Sequence, residues 1–84
     1  MTRKDDAERA GARAALGLRL KLLRVHAKLN QVSVAQTLDV RPATVSSWEQ
    51  GTSELAALDA LRLADLYGVE IAVVFGRAPM PTVP

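Results

Sequence analysis

His26 is the strongest candidate for acid–base chemistry in this sequence, because histidine is the side chain whose ordinary pKa lies nearest neutrality. It falls on a charged arc of a predicted helix, with no nucleophile or carboxylate evidently placed to work with it. The chain contains no cysteine and no glycine-rich run of the kind that cradles phosphates. We therefore predict that the protein is not an enzyme and that it uses no metal and no cofactor.

Basic residues are concentrated in the first third of the chain, which favours noncovalent binding to an anion. Residues 1–28 carry eight Lys or Arg against three Asp or Glu, whereas residues 29–84 carry three against six. The formal net charge is nevertheless only +2. A basic surface of this kind is typical of contact with a phosphate backbone. Taken alone, the same charges are also typical of an ordinary helix exposed to solvent.

The length of 84 residues allows one small domain with a modest core. Hydrophobic residues make up 49% of the chain but aromatic residues only 4%, so Leu, Val and Ala must build the core, which suits packed helices. No segment approaches a membrane span, and no apolar run of a signal peptide follows the charged N-terminus. We expect a cytoplasmic protein without membrane contact.

Residues 29–51 predict two short helices joined by a tight turn. Asn30 suits the N-cap of the first helix, because its side-chain oxygen can accept from the free backbone N–H groups there. Asp39 falls at the turn, where a left-handed backbone conformation is expected and Gly is the usual residue. Pro42 suits the first position of the second helix, and Gly51 suits its left-handed end.

The residues in and after this segment resemble those of the phage-repressor (XRE, lambda-repressor-like) helix-turn-helix family. The resemblance covers residues 16–75 and implies a mainly α, compact domain of four to five helices. It rests on Leu29, Asn30, Gln31, Val34, Ala35, Leu38, Val40, Val45, Ser46, Trp48, Glu49, Gly51, Leu63, Ala64, Tyr67, Gly68 and Val69. Two positions depart from the pattern: Asp39 replaces the usual Gly, and Arg41 replaces the usual Ser or Thr cap of the second helix.

This resemblance implies a regulator whose second motif helix, residues 42–50, enters the major groove of double-stranded DNA. The implied groove-facing residues are Arg41, Pro42, Ala43, Thr44, Ser46 and Ser47. The implied phosphate contacts are Asn30, Gln31, Gln50 and Thr52. Because the groove-facing set holds no Asn or Gln, we expect modest base discrimination, with DNA shape and half-site spacing providing much of the specificity.

By the same resemblance, Arg24 pairs with Glu49 inside the motif and orients the end of the second helix. The alternative is that Arg24 contacts a phosphate directly. We favour the structural pair, because an unpaired Glu49 beside DNA would repel it.

The helix before the motif carries apolar residues on two nearly opposite faces. The first stripe, expected to face the core, consists of Leu16, Leu20, Leu23 and Ala27. The second stripe consists of Leu18, Leu22, Val25 and Leu29. So small a chain cannot readily bury both stripes, so we expect the second to meet another subunit or another protein, unless Arg and Lys stems cover it.

The C-terminal part is predicted to begin with a helix at residues 54–67, capped by Thr52 or Ser53. Residues 69–75 fit either the fifth helix of the family or a strand, since their β-branched residues alternate at a period of two. We favour the strand. An unpaired strand would require a two-fold partner, which would add Ile71, Val73 and Phe75 to the dimer surface.

These patterns divide the chain into three predicted segments. They are a flexible or partly helical arm at 1–12, the helix-turn-helix domain at 13–76, and a disordered Pro-rich tail at 77–84. The expected function is sequence-specific DNA binding by a homodimeric transcriptional repressor. One alternative is an antitoxin-type regulator that also binds a second protein. Another is a protein-interaction module that has kept the fold without DNA binding, which the low net charge and acidic second half favour.

Overall fold

The computed structural model describes residues 3–82, which form five α-helices and, within that range, no β-strand. They are α1 (Lys4–His26), α2 (Gln31–Leu38), α3 (Pro42–Gln50), α4 (Ala57–Tyr67) and α5 (Ile71–Val74). The mainly α fold predicted from the sequence is confirmed. No helix in this part of the chain has both the length and the apolar content that crossing a membrane requires.

The core lies where α1 and α2 pack on α3 and the two C-terminal helices close the remaining side. Its buried side chains include Leu20, Leu23, Val34, Leu38, Val45, Trp48, Leu63, Tyr67 and Val74. The first apolar stripe predicted for α1 faces this core, with Leu16 and Ala27 partly buried at its two ends. Burial of these apolar side chains is the main contribution to the stability of the fold.

The turn between α2 and α3 has the local geometry that its residues predict. Asn30 caps α2 by accepting a hydrogen bond from the backbone N–H of Ser33 at 2.8 Å. Asp39 is left-handed, with φ 56° and ψ 48°. Pro42 opens α3 and Gly51 ends it with a φ of 73°, whereas Arg41 provides no side-chain cap.

The position of α3 depends on its close approach to α1 at Gly17. A Cβ atom added to Gly17 would lie 2.6 Å from the backbone oxygen of Trp48 and closer still to that of Glu49. Arg13, a turn earlier on α1, donates from Nε to the carbonyl oxygen of Gly51 at 3.2 Å. These contacts hold the C-terminal end of α3 directly against the backbone of α1.

α4 begins at Ala57, so its predicted start at residue 54 is wrong. Neither Thr52 nor Ser53 caps it, since Ala56 occupies the N-cap position without a side-chain hydrogen bond. Thr52 donates instead from Oγ1 to the carbonyl oxygen of Ser47 at 3.3 Å. The Thr52 side chain is therefore bound to the end of α3 and not to the start of α4.

Residues 71–74 form the single turn α5, so the favoured strand is not confirmed and the helical alternative is observed. The helical turn buries the adjacent side chains of Val73 and Val74, whereas a strand would send them to opposite faces. Arg19 of α1 donates from Nε to the carbonyl oxygen of Val74 at 3.1 Å, which satisfies an end of α5. A strand would have needed a partner that the described part of the chain does not offer.

Of the two segments predicted to be flexible, the N-terminal one is largely helical and the C-terminal one packs in part on the core. α1 starts at Lys4, so most of the arm at residues 1–12 is helical, and its first two residues lie outside the described range. Ala78 and Met80 pack against the core. Residues 83 and 84 of the predicted disordered tail at 77–84 also lie outside the described residues. The boundaries of the three predicted segments at 1–12, 13–76 and 77–84 stay predictions.

Candidate nucleic-acid interface

The outer face of α3 is the surface that the sequence predicts to enter a DNA groove. Val45 and Trp48 are the buried side of the helix. At about 100° per residue, the opposite side consists of Ala43, Ser46, Ser47 and Gln50, of which Ala43 and Gln50 are exposed and the two serines half-buried. This face carries no acidic side chain, so nothing on it repels a phosphate backbone.

The remaining predicted base-reading residues surround the start of α3. Arg41 and Pro42 are exposed and Thr44 is half-buried. Gln50, predicted as a phosphate contact, donates from Nε2 to the hydroxyl of Ser46 at 2.7 Å and so lies on the outer face itself. Thr52, another such contact, is exposed just beyond the end of α3.

The N-terminus of α2 provides a second set of donors. The Asn30 side chain uses its oxygen for the cap, which leaves its amide N–H groups outside that interaction. Gln31 donates from Nε2 to Oε1 of Glu49 at 3.0 Å, so one of its amide hydrogens is already engaged. Free backbone N–H groups and the positive end of the dipole make such a helix start favourable for a phosphate.

Arg24 joins α1, the start of α2 and the end of α3. Its Nε donates to Oε2 of Glu49 at 2.7 Å, and its Nη2 donates to Oε1 at 3.0 Å. Its Nη1 donates to the carbonyl oxygen of Leu29 at 3.0 Å. With Gln31 on the same carboxylate, Glu49 is neutralised within the motif, and no unpaired negative charge faces outward from the end of α3.

Two pKa shifts follow from this arrangement. The hydrogen bonds to Glu49 raise the pKa of Arg24 above its ordinary value, while burial acts in the opposite direction. Burial raises the pKa of the Tyr67 hydroxyl well above its ordinary value, and the negative charge of Glu49 acts in the same direction. The tyrosine therefore stays neutral beside the ion pair at any ordinary pH.

The residues predicted from the sequence for this candidate interface did not include Lys28. It is exposed in the turn after α1, two residues before the α2 cap, and has a left-handed backbone with φ 61°. Its signal in the sequence is a basic residue two positions before an N-cap. The helical periodicity of α1 concealed this, because it places Lys28 on an arc of the helix, whereas the helix ends before it.

The predicted partner surface is only partly exposed. Leu18, Leu22 and Val25 lie in solvent along α1, and Phe75 is about half exposed. Val73 is buried in the core and Ile71 is partly buried against it, so neither offers the fully exposed side chain that the predicted dimer surface requires. Both were assigned from strand alternation, and the helical turn of α5 directs them inward.

Among residues 3–82, no cluster of three or more His, Cys, Asp or Glu side chains could hold a metal ion.

A capped helix, a left-handed turn and a second helix with a polar outer face define a helix-turn-helix DNA-binding domain. The family model described as Helix-turn-helix matches residues 20–74, which is more than half of the chain. The chain therefore belongs to the XRE, lambda-repressor-like helix-turn-helix family and is a DNA-binding regulator. Comparisons with curated proteins and with solved structures each found no match.

Proposed function

We propose that the protein is a sequence-specific transcriptional repressor that binds double-stranded DNA as a homodimer, with α3 in the major groove of each half-site. The observation that carries this proposal is the acid-free outer face of α3, which lies beside the capped start of α2. The pairing of Glu49 with Arg24 supports this proposal. It neutralises the one carboxylate of α3, which would otherwise repel the phosphates of the DNA.

Base reading would come from small side chains on the N-terminal half of α3. Ala43 and the methyl group of Thr44 can pack on thymine methyl groups, and Ser46 and Ser47 can hydrogen-bond with several bases. Arg41 can reach a guanine or a phosphate. Such contacts discriminate modestly, so we propose that DNA shape and half-site spacing provide much of the specificity.

Phosphate contacts would fix the orientation of α3 on the duplex. Asn30 and the start of α2 would hold one phosphate, with the second amide hydrogen of Gln31 available to it. Gln50 and Thr52 would meet a phosphate beyond the end of α3. Lys28 adds a charge beside the α2 cap and so joins this group.

One subunit neutralises only a few phosphates, which supports a dimer as the binding species. The affinity of a few phosphate contacts falls steeply with salt. Two subunits on half-sites about 34 Å apart would add their contacts and require two-fold symmetry in the operator.

Selection of bound DNA from a random duplex pool, followed by titration of the selected site at two salt concentrations, tests this function. We expect an inverted repeat whose half-sites are separated by about one helical turn, and a steep loss of affinity with salt. Failure to enrich any sequence would contradict sequence-specific binding. Enrichment of a single half-site would contradict the dimer.

One observation favours a second candidate, a regulator or interaction module that binds another protein. Leu18, Leu22, Val25 and Phe75 expose apolar surface that DNA binding does not use. An antitoxin-type regulator would bind both DNA and a second chain. A module without DNA binding would show no affinity for duplex in the salt titration, which distinguishes the two.

A further inference from the structure

The N-terminal half of α1 extends away from the packed core of the domain. Residues 3–12 are all exposed. A Cβ atom added at Gly11 would find no neighbouring atom within 4 Å. Because a helical segment without tertiary contacts is only weakly stabilised, this surface is suited to a partner.

One row of residues runs along α1 from this extension to the exposed leucines; we call it the α1 seam. It consists of Ala7, Gly11, Ala14, Leu18, Leu22 and Val25. Successive members are three or four residues apart, which is the spacing of the contact line between paired helices. Its N-terminal half is small and exposed, whereas Leu18, Leu22 and Val25 in its C-terminal half are 57%, 50% and 56% exposed.

We infer that the α1 seam is the dimer interface, where α1 pairs antiparallel with α1 of a second copy of this chain. In that register the large residues of one copy lie over the small residues of the other. Leu18 meets Ala14 of the second copy, Leu22 meets Gly11, and Val25 meets Ala7. The absence of a side chain at Gly11 allows close approach of the two helices. This inference rests on the proposed dimeric function and assigns its interface.

Charge selects the antiparallel direction. Residues 16–28 contain four Lys or Arg and no acidic residue, although one of the four, Arg24, is paired with Glu49. Residues 3–9 contain three acidic and three basic residues. A parallel pair would set the two basic halves against each other. The antiparallel pair sets each basic half against a segment whose acidic and basic residues balance, which avoids this repulsion, and it also opposes the helix dipoles favourably.

The C-terminal segment adds apolar surface beside the seam. A groove of about 300 Å³ is lined by Leu22, Val25, His26, Met80 and Pro81. In the antiparallel register this groove lies at the end of the seam that meets the first turns of the second copy. The partner helix would therefore cover the groove as well as the leucines.

Sedimentation equilibrium without DNA tests the interface through Gly11→Leu, with Ala12→Leu as the matched control. Both changes replace a small exposed residue of α1 with leucine, but Ala12 is rotated about 100° from Gly11. Since Gly11 has open space around it, the variant leaves the fold of the subunit intact, which circular dichroism verifies. We expect Gly11→Leu to raise the dimer dissociation constant at least about tenfold and Ala12→Leu to leave it unchanged.

A wild-type chain that stays monomeric at about 100 μM, or a Gly11→Leu dimer as tight as wild type, would overturn the interface. Either result can occur while DNA selection succeeds, so failure of the interface is distinguishable from failure of the proposed function. A second protein on the seam would appear as a wild-type chain that is monomeric alone.

Cross-linking tests the direction of the pair, because the chain has no cysteine of its own. The variants Gly11→Cys and Leu22→Cys are oxidised separately and as a mixture. The antiparallel register predicts a disulfide mainly in the mixture, between one copy of each variant. Efficient cross-linking of Leu22→Cys with itself would show a parallel pair and overturn the proposed register.

Discussion

Arg24 and Glu49 form a two-point ion pair, with Nε to Oε2 at 2.7 Å and Nη2 to Oε1 at 3.0 Å. Only 12% of the arginine side chain and 5% of the glutamate side chain are exposed. The pair connects α1 to the end of α3, so it orients the proposed reading helix as well as neutralising its carboxylate. Each of the three Arg24 nitrogens donates within the protein, which favours the structural pair over a direct phosphate contact.

Glu49→Ala should therefore destabilise the fold by about 3 kcal/mol, because it leaves the Arg24 guanidinium largely buried without its carboxylate. Urea unfolding followed by circular dichroism measures this loss. Glu54→Ala is the matched control, since Glu54 pairs with Arg13 at an exposed site, and it should cost less than about 1 kcal/mol. Equal losses for the two variants would contradict a structural role for the buried pair.

Gly17→Ala should cost about 2 kcal/mol, because the new methyl group would collide with the backbone oxygens of Trp48 and Glu49. Gly11→Ala on the same helix should instead gain about 1 kcal/mol, since it meets only open space and alanine favours helix. Thermal unfolding at a concentration where the chain is monomeric measures both. A neutral Gly17→Ala would show that α1 and α3 can separate without loss.

Asp39→Gly should stabilise the fold by about 1 kcal/mol, because glycine adopts the left-handed conformation at this position without steric cost. For a domain of this size the melting temperature would rise by roughly 4–8 °C. Asp39→Ala is the control: it retains a Cβ atom and should give no such gain. A lower melting temperature for Asp39→Gly would mean that the aspartate side chain stabilises the turn by more than its backbone strain.

Alkaline pH should destabilise the protein through Tyr67. Burial raises the pKa of this hydroxyl in the folded state above the ordinary value of 10.0, so the unfolded chain loses its proton first. The contribution of Tyr67 to the free energy of unfolding is therefore constant below pH 10 and falls as the pH rises above it. Urea unfolding at a series of pH values measures the fall, which Tyr67→Phe should reduce. The same slope in both proteins would assign it to other groups.

Ser47→Glu and Thr44→Glu should abolish binding to the selected DNA while the fold remains intact. Each places a negative charge at the proposed groove-facing surface of α3, where it would oppose the phosphates and the base edges. Fluorescence anisotropy with labelled duplex measures binding. Thr82→Glu introduces the same charge at an exposed site of the C-terminal segment and should bind as wild type. Unchanged binding by Ser47→Glu would contradict the choice of α3.

Local features of the motif could be predicted from residue types alone. A capping side chain at Asn30, a fixed φ at Pro42 and a left-handed end at Gly51 depend on the covalent geometry of one or two residues. The core stripe of α1 could also be predicted, because the spacing of its apolar residues identifies the buried face whichever helix packs against it. These short-range rules were sufficient to predict the position of α3 in the sequence.

The tertiary structure decided whatever depended on a distant partner. Residues 71–74 satisfy both strand and helix patterns, and only the burial of Val73 and Val74 in the core and the donor Nε of Arg19 select the helical turn. The hydrogen bond from Gln31 to Glu49 likewise depends on contact between separate helices. A pattern read along the chain records what each residue prefers, whereas burial and hydrogen bonding between elements determine which preference prevails.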